Sequence, residues 1–238
     1  MTVHALRFDR DPVPATTDDP IRLHLALAAF GRERLAPSTA STGWREAIVA
    51  ETGLRLIEGA FVERELGAVQ PMLGTMPTGA RAFMSWYEGL REHGPGQNDP
   101  LFPWLAQQAD MSAMRWYIAQ EAAGEAGFDD LVALTQVKMP VRAKLELARN
   151  YWDEMGRGNS RGMHGPMLDS LVHAMKADPQ PETTVWESLA LGNLMTALAT
   201  NRRFAFQAIG ALGAIEMTAP HRAEAVALGL ARLGVDRA

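Results

Sequence analysis

Apolar residues recur at intervals of three and four through most of this 238-residue chain, and this spacing constrains its fold more than any other feature. Alternation with a period of two, which is typical of half-buried strands, is scarce. The helical pattern is clearest over residues 21–35, 44–69, 80–92, 141–155, 163–175, 184–201, 204–217 and 220–233. The sequence therefore predicts an all-α protein, a compact bundle whose interior can hold a metal ion or a small molecule.

Proline and polar residues mark the boundaries of the chain's parts. Residues 1–19 are rich in Asp, Pro and Thr and are interpreted as an irregular N-terminal arm. Asp19 is suited to cap the first helix, and Pro20 to occupy its first position. Residues 38–42 are expected to form a turn or loop. Because the length fits one domain, residues 20–238 are assigned to a single helical-bundle domain.

Composition excludes several classes of function. The net charge is −5 and no long basic run occurs, so we expect no nucleic-acid partner. The chain has no cysteine, which excludes disulfides and thiolate metal sites and favours a cytoplasmic location. Neither a signal peptide nor an apolar run of about 18 residues is visible, so no membrane association is predicted. Phosphate-binding loops are also missing, and no organic cofactor is predicted.

A glycine-rich break separates a carboxylate from an imidazole in the middle of this helical sequence. Glu154 and His164 are ten residues apart, which on a straight helix is a rise of roughly 15 Å. The two side chains can share a metal only if the backbone turns between them, and Gly156, Gly158 and Gly162 allow such a turn. An ordinary loop joining two helices would need the same glycines, so both interpretations stay open.

Two further glutamates, Glu121 and Glu216, also lie in apolar helical surroundings. A buried, unpaired carboxylate is costly, so each needs a cation such as Arg, Lys or a metal ion. Alternatively, each lies at a helix edge and reaches water.

The sequence also gives two expectations about packing: the small residues 210–213 allow close helix packing, and four aromatic residues lie in the core. These are Trp104, Trp116, Tyr117 and Trp152.

Taken in order, several segments resemble the haem-oxygenase-like di-iron oxidases and oxygenases, also called the iron-containing redox enzyme family. They are residues 100–105, 115–121, 150–158 with His164, 210–216 and 230–234. The resemblance covers roughly residues 99–235. It implies a seven-helix, haem-oxygenase-like bundle that holds two irons without haem. The preceding hundred residues would then be an N-terminal helical extension.

The resemblance also implies a set of ligands and a chemistry. Glu121, Glu154, His164 and Glu216 would be Fe(II) ligands, with Glu154 bridging two irons. Members of the family activate O₂ and oxidise amino acids, fatty acids or amines, so a small-molecule substrate and O₂ are the expected partners. Mixed carboxylate and imidazole ligation leaves iron positions open for both. No catalytic residue beyond these ligands is predicted.

The chain departs from the family pattern near its end. The family's last ligands are an Asp and a His one helical turn apart, which here are expected beyond Ala238; Asp236 resembles the cap of such a helix. Two other hypotheses also stay open, and this departure is the main support of the first. One is a metal-independent bundle related to thiaminase-type or quinone-cofactor-synthesis proteins. The other is a non-catalytic interaction protein whose first hundred residues dock to a partner or form a homodimer.

Overall fold

The computed structural model describes residues 19–37 and 43–235, and within these ranges the chain is helical without a β-strand. The helices are α1 Pro20–Leu35, α2 Trp44–Val69, α3 Ala80–His93, α4 Leu101–Gln107, α5 Met111–Gly124, α6 Phe128–Thr135, α7 Val141–Glu154, α8 His164–Met175, α9 Trp186–Thr200 and α10 Ala205–Arg232. Short 3₁₀ turns connect some of them: Gln70–Thr75, Gly156–Gly158, Ser160–Gly162, Pro181–Thr183 and Arg202–Phe204. The all-α prediction is confirmed.

Helix starts follow the capping residues that the sequence offers. The Asp19 carboxylate accepts hydrogen bonds from the backbone N–H groups of Ile21, at 3.0 Å, and Arg22, and Pro20 begins α1 as predicted. Asp110 caps α5 in the same way, through the N–H of Ala113 at 2.8 Å. The predicted arm over residues 1–19, apart from Asp19, lies outside the described residues, as do the loop over residues 38–42 and the Asp236 cap.

The sequence predicted two separate C-terminal helices, over residues 204–217 and 220–233, and this prediction is wrong. α10 is one helix, with Pro220 inside it. Side chains supply hydrogen bonds around the proline: the Thr218 hydroxyl donates to the Ala214 carbonyl at 2.9 Å, and Gln97 Nε2 donates to the Thr218 carbonyl at 2.8 Å. Packing of α10 against α3 and α4 therefore overrides the local preference of proline for a helix end.

Three apolar clusters form the core. The first joins α1, α2, α9 and α10 through Leu23, Leu27, Phe61, Val62, Ala197, Leu198 and Ala208. The second surrounds α4, α5 and α8, with Leu105, Met114, Ile118 and Met175 at its centre. The third joins α6, α9 and α10 through Phe128, Leu131, Val132, Met195 and Leu212. Together they pack α5, α8 and α10, three of the four helices that carry predicted ligands. The single-domain assignment stays a prediction.

The expected aromatic core is wrong for three of its four members. Tyr117 is buried, but Trp104, Trp116 and Trp152 are exposed, Trp152 with 54% of its surface in solvent. Trp152 covers Gly158 instead of entering the core, and a Cβ at Gly158 would lie 3.1 Å from the indole ring. The small residues of α10 behave partly as predicted. A Cβ at Gly213 would lie 3.0 Å from the Tyr87 hydroxyl, whereas Gly210 has no such neighbour among the described residues.

None of the helices in the described ranges combines the length and the apolar character that crossing a membrane requires.

Candidate metal centre

The glycine-rich segment between α7 and α8 reverses the direction of the chain. Gly156, Arg157 and Gly158 all have positive φ angles, of 58°, 55° and 85°. Met155 and Met163 then pair in an isolated antiparallel bridge. The two limbs approach so closely that a Cβ at Gly156 would collide with the backbone of Gly162. Glycine is required here because it tolerates both the left-handed conformation and the close approach.

This reversal brings Glu154 and His164 together, which is one of the two interpretations that the sequence left open. Glu154 is the last residue of α7 and His164 the first of α8. Their side chains approach to 3.1 Å between Glu154 Oε2 and His164 Nδ1. The imidazole is 42% exposed and the carboxylate 15% exposed, so the pair is half-buried but open to solvent.

The pair sits in a strongly acidic environment. The hydrogen bond that the His164 ring donates to Glu154 is the main reason that the pKa of His164 is raised. The charges of Glu125, Glu154 and Asp129 add to it, while burial opposes it. His164 Nε2 lies 3.9 Å from Glu125 Oε2. The ring also stacks on Phe128, with centroids 6.0 Å apart and an angle of 22° between the planes. The imidazole thus hydrogen-bonds to one carboxylate and lies near a second.

Glu125 is a candidate that the sequence reasoning missed. It follows the last residue of α5, and its Oε1 accepts a hydrogen bond from the Phe128 N–H at 2.8 Å, which caps α6. The available signal was its position four residues after Glu121, on the same side of a helix. Glu125 also lines a cavity of about 350 Å³, together with Arg32 and Asn193. His164 does not line this cavity, so Glu125 is the residue that connects the cavity with the imidazole.

Glu121 lies on α5 and does not join this pair. It is exposed by surface area, yet neighbouring atoms desolvate its carboxyl enough to raise its pKa. The charge of Arg222 and a hydrogen bond from the Tyr117 hydroxyl oppose that rise. Burial, and then the nearby charge of Glu121, raise the pKa of Tyr117 in turn. Glu121 therefore has an arginine and a tyrosine as partners.

Glu216 lies on α10 at a helix edge. Its side chain is exposed, and its Oε1 accepts a hydrogen bond from Asn150 Nδ2 at 2.9 Å. Of the two interpretations given for this residue, the structure favours the one in which the carboxylate reaches water. Asn150 comes from α7, one turn before Glu154. The edge of α10 that carries Glu216 thus faces the helix that ends at the pair.

The structure brings two of the four predicted ligands together and leaves the other two with different partners. In residues 19–37 and 43–235, no three His, Asp or Glu side chains converge in the arrangement of a metal-binding group. The chemistry of the donors nevertheless fits iron, because carboxylate oxygens and an imidazole nitrogen are the ligands of non-haem iron. The ligand roles of Glu121, Glu154, His164 and Glu216 stay a prediction.

Comparison with known families decides the class of the protein. The family model for iron-containing redox enzymes matches residues 115–238, which is half of the chain. The chain belongs to the iron-containing redox enzyme family. Membership gives this redox enzyme a haem-oxygenase-like fold and indicates an oxidoreductase. All four predicted ligands and Glu125 fall within the matched residues. Searches of curated proteins and of solved structures give no match.

Proposed function

We propose that this protein is a non-haem di-iron oxidase or oxygenase that activates O₂ and oxidises a small amino-acid-, amine- or fatty-acid-like substrate. The observation that carries the proposal is the pairing of Glu154 with His164 across the glycine reversal, inside the family match. A costly bend that brings a carboxylate to an imidazole is explained if the two bind one metal ion. Iron bound there would supply electrons to O₂.

The donor atoms differ in their roles. Because Glu154 Oε2 faces Nδ1 of His164, these two atoms would hold the iron. Nε2 lies 3.9 Å from Glu125 Oε2, which would move closer, accept a hydrogen bond from Nε2–H and orient the ring, as carboxylates commonly do behind a ligating histidine. His164 must lose the proton on Nδ1 before iron binds, since only a neutral imidazole ligates. Glu121 and Glu216 would join by exchanging Arg222 and Asn150 for metal.

The cavity beside Glu125 supports the choice of substrate class. Arg32 lines it from α1 and is exposed, so its guanidinium can bind a carboxylate with two parallel hydrogen bonds. The cavity of about 350 Å³ is within the range of small-molecule sites. An amino acid or a fatty acid would offer the carboxylate, while its carbon chain lies against the apolar wall.

Oxygen consumption by the iron-loaded protein tests the proposal. The full chain is loaded with Fe(II) without oxygen, desalted, and mixed with aerated buffer in an oxygen electrode. We expect uptake of O₂ that depends on iron and is lost in His164→Gln. His173→Gln is the matched control, because His173 lies on the same helix and is exposed. Failure of the wild-type chain to bind iron would sink the proposal.

One observation favours a second candidate, a bundle of the same fold that works without metal. Glu121 and Glu216 both have protein partners already. A metal-independent protein that binds a small heterocycle would need nothing more from them. If turnover of a heterocyclic substrate survives Glu154→Ala and chelator treatment, this candidate replaces the first.

A further inference from the structure

A second cavity, of about 660 Å³, lies between α1, α2 and α9, and none of the predicted iron ligands lines it. Aromatic rings form part of its wall. The imidazole of His24 stacks on Trp186, with centroids 5.7 Å apart and planes 13° from parallel. Phe61 meets the same imidazole edge to face at 5.0 Å. The size is typical of sites for small organic molecules, and such walls favour flat ligands.

His24 is the unusual member of this wall, because it is only 1% exposed. Its neighbour Asn193 fixes its protonation. Asn193 Nδ2 donates a hydrogen bond to the backbone carbonyl of His24 at 2.9 Å, and only the amide nitrogen can do so. The same nitrogen lies 3.3 Å from His24 Nδ1. Nδ1 must therefore be an acceptor, and the ring proton is on Nε2.

The neutral form also follows from burial. Desolvation is the main reason that the pKa of His24 is lowered, and the charge of Arg64 acts in the same direction. A second proton on Nδ1 would face the Asn193 amide hydrogens. His24 is thus a neutral imidazole that donates through Nε2 alone.

The Nε2–H group has no acceptor among residues 19–37 and 43–235. Nε2 is not among the buried polar atoms that lack a partner in these ranges, so the group reaches the surface of the cavity. His24 lines the cavity, so a molecule bound there can supply the acceptor. At the rim, Arg64 Nε pairs with Glu65 Oε1 at 3.1 Å, so the two rim charges offset each other and favour an uncharged ligand.

We propose that this cavity binds a neutral, planar aromatic molecule whose ring nitrogen or carbonyl oxygen accepts a hydrogen bond from His24 Nε2. Contact with the aromatic wall at Trp186 and Phe61 supplies much of the affinity. The hydrogen bond from His24 Nε2 favours ligands that carry an acceptor atom over those that do not. The site is built from helices α1, α2 and α9, and its ligand does not need the iron centre. It gives the N-terminal helices a binding role of their own.

A matched pair of probes tests the selection. Isoquinoline and naphthalene have the same two-ring shape, but only isoquinoline has an acceptor nitrogen. Dissociation constants are measured by ligand-observed NMR at pH 8 on the full chain with chelator present, so that iron plays no part. We expect isoquinoline to bind about tenfold more tightly than naphthalene, the effect of one well-made hydrogen bond.

Two variants locate the binding. His24→Phe keeps the ring but removes the donor, and should reduce the affinity for isoquinoline to that for naphthalene. Leu191→Trp should weaken both probes at least tenfold, because Leu191 lines the cavity while half its surface is exposed, so the change leaves the core intact. His93→Phe, at the exposed end of α3, should change neither.

Three results would overturn the proposal: no binding by the wild type, equal affinity for the two probes, or unchanged isoquinoline affinity in Leu191→Trp. Since iron is absent throughout, none of them bears on the proposed oxygen chemistry.

Discussion

Two histidines, His24 and His164, show how the partner of one nitrogen decides the character of an imidazole. In both, Nδ1 faces a side chain from elsewhere in the chain, at 3.3 Å and 3.1 Å. At His24 that partner is an amide that donates, and the pKa of the ring is lowered by burial and by Arg64. At His164 it is a carboxylate that accepts, and the pKa is raised. Burial and a nearby cation thus favour a neutral ring at His24, whereas a carboxylate partner favours a positive charge at His164.

The surroundings of the two rings differ in the same sense. The helices that carry His24 and line its cavity, α1 and α2, are joined by an almost fully buried ion pair. Arg34 and Glu58 form a two-pronged ion pair with side chains only 8% and 9% exposed, and the guanidinium lies over Phe30. Around His164, carboxylates outnumber cations, and the Glu154–His164 pair is open to solvent. In the first region the buried charges are paired with each other. In the second, carboxylate oxygens remain that could bind a metal ion.

The largest effect on stability should come from breaking the buried ion pair between Arg34 and Glu58. Glu58→Gln leaves Arg34 buried without its counter-ion, so we expect the free energy of unfolding to fall by about 3–5 kcal/mol. Urea denaturation followed by circular dichroism measures it. The control is Glu51→Gln, because Glu51 pairs with Arg55 at the surface; its effect should stay within about 1 kcal/mol. Equal losses in the two variants would show that the buried Arg34–Glu58 pair contributes no more to stability than a surface pair.

A smaller effect should follow from disturbing the glycine-rich chain reversal between α7 and α8. Gly156→Ala places a Cβ against Gly162 at a positive φ, so we expect a loss of about 1–3 kcal/mol and a weaker response to iron. Gly165→Ala is the control, since Gly165 lies in α8 with no neighbour among the described residues for the new Cβ. Thermal unfolding with and without Fe(II) measures both. If the two alanine variants behave alike, the reversal does not position Glu154 and His164.

The smallest effect is the pH dependence that separates the two histidines. The unfolded chain takes up a proton at His24 near the ordinary value of 6.5, which the folded protein resists. The stability that neutral His24 contributes is therefore complete above 6.5 and is lost as pH falls below it. His164 has the opposite sign, because its pKa is raised: its contribution is complete below 6.5 and declines as pH rises through the folded value.

Comparison of wild type with His24→Phe isolates the first contribution. Urea titrations between pH 5 and pH 8 should show that the wild type loses stability relative to the variant as pH falls. A stability difference that stays constant over this range would mean that His24 is not held neutral.

Local signals in the sequence were sufficient for most helices and for a break at the glycines, but they left open whether that break brings Glu154 to His164. The caps at Asp19 and Asp110 act within three residues, and the glycines of the bend impose their conformation directly. Pro220 was misjudged because the donors that stabilise the helix around it, such as Gln97, lie far away in sequence. The predicted ligand set is limited for the same reason. The partners of Glu121 and Glu216 come from other helices, and no local pattern shows them.

The central claim is that Glu154 and His164 are the nucleus of an iron site, and iron content measures it most directly. The full chain, Glu154→Gln and Asp153→Asn are loaded with Fe(II) without oxygen, desalted, and analysed for iron per chain by mass spectrometry. Asp153 is the adjacent carboxylate, paired with Arg157 at the surface. We predict that Asp153→Asn retains the iron of the wild type and that Glu154→Gln loses most of it. Equal iron in Glu154→Gln and wild type would contradict the claim.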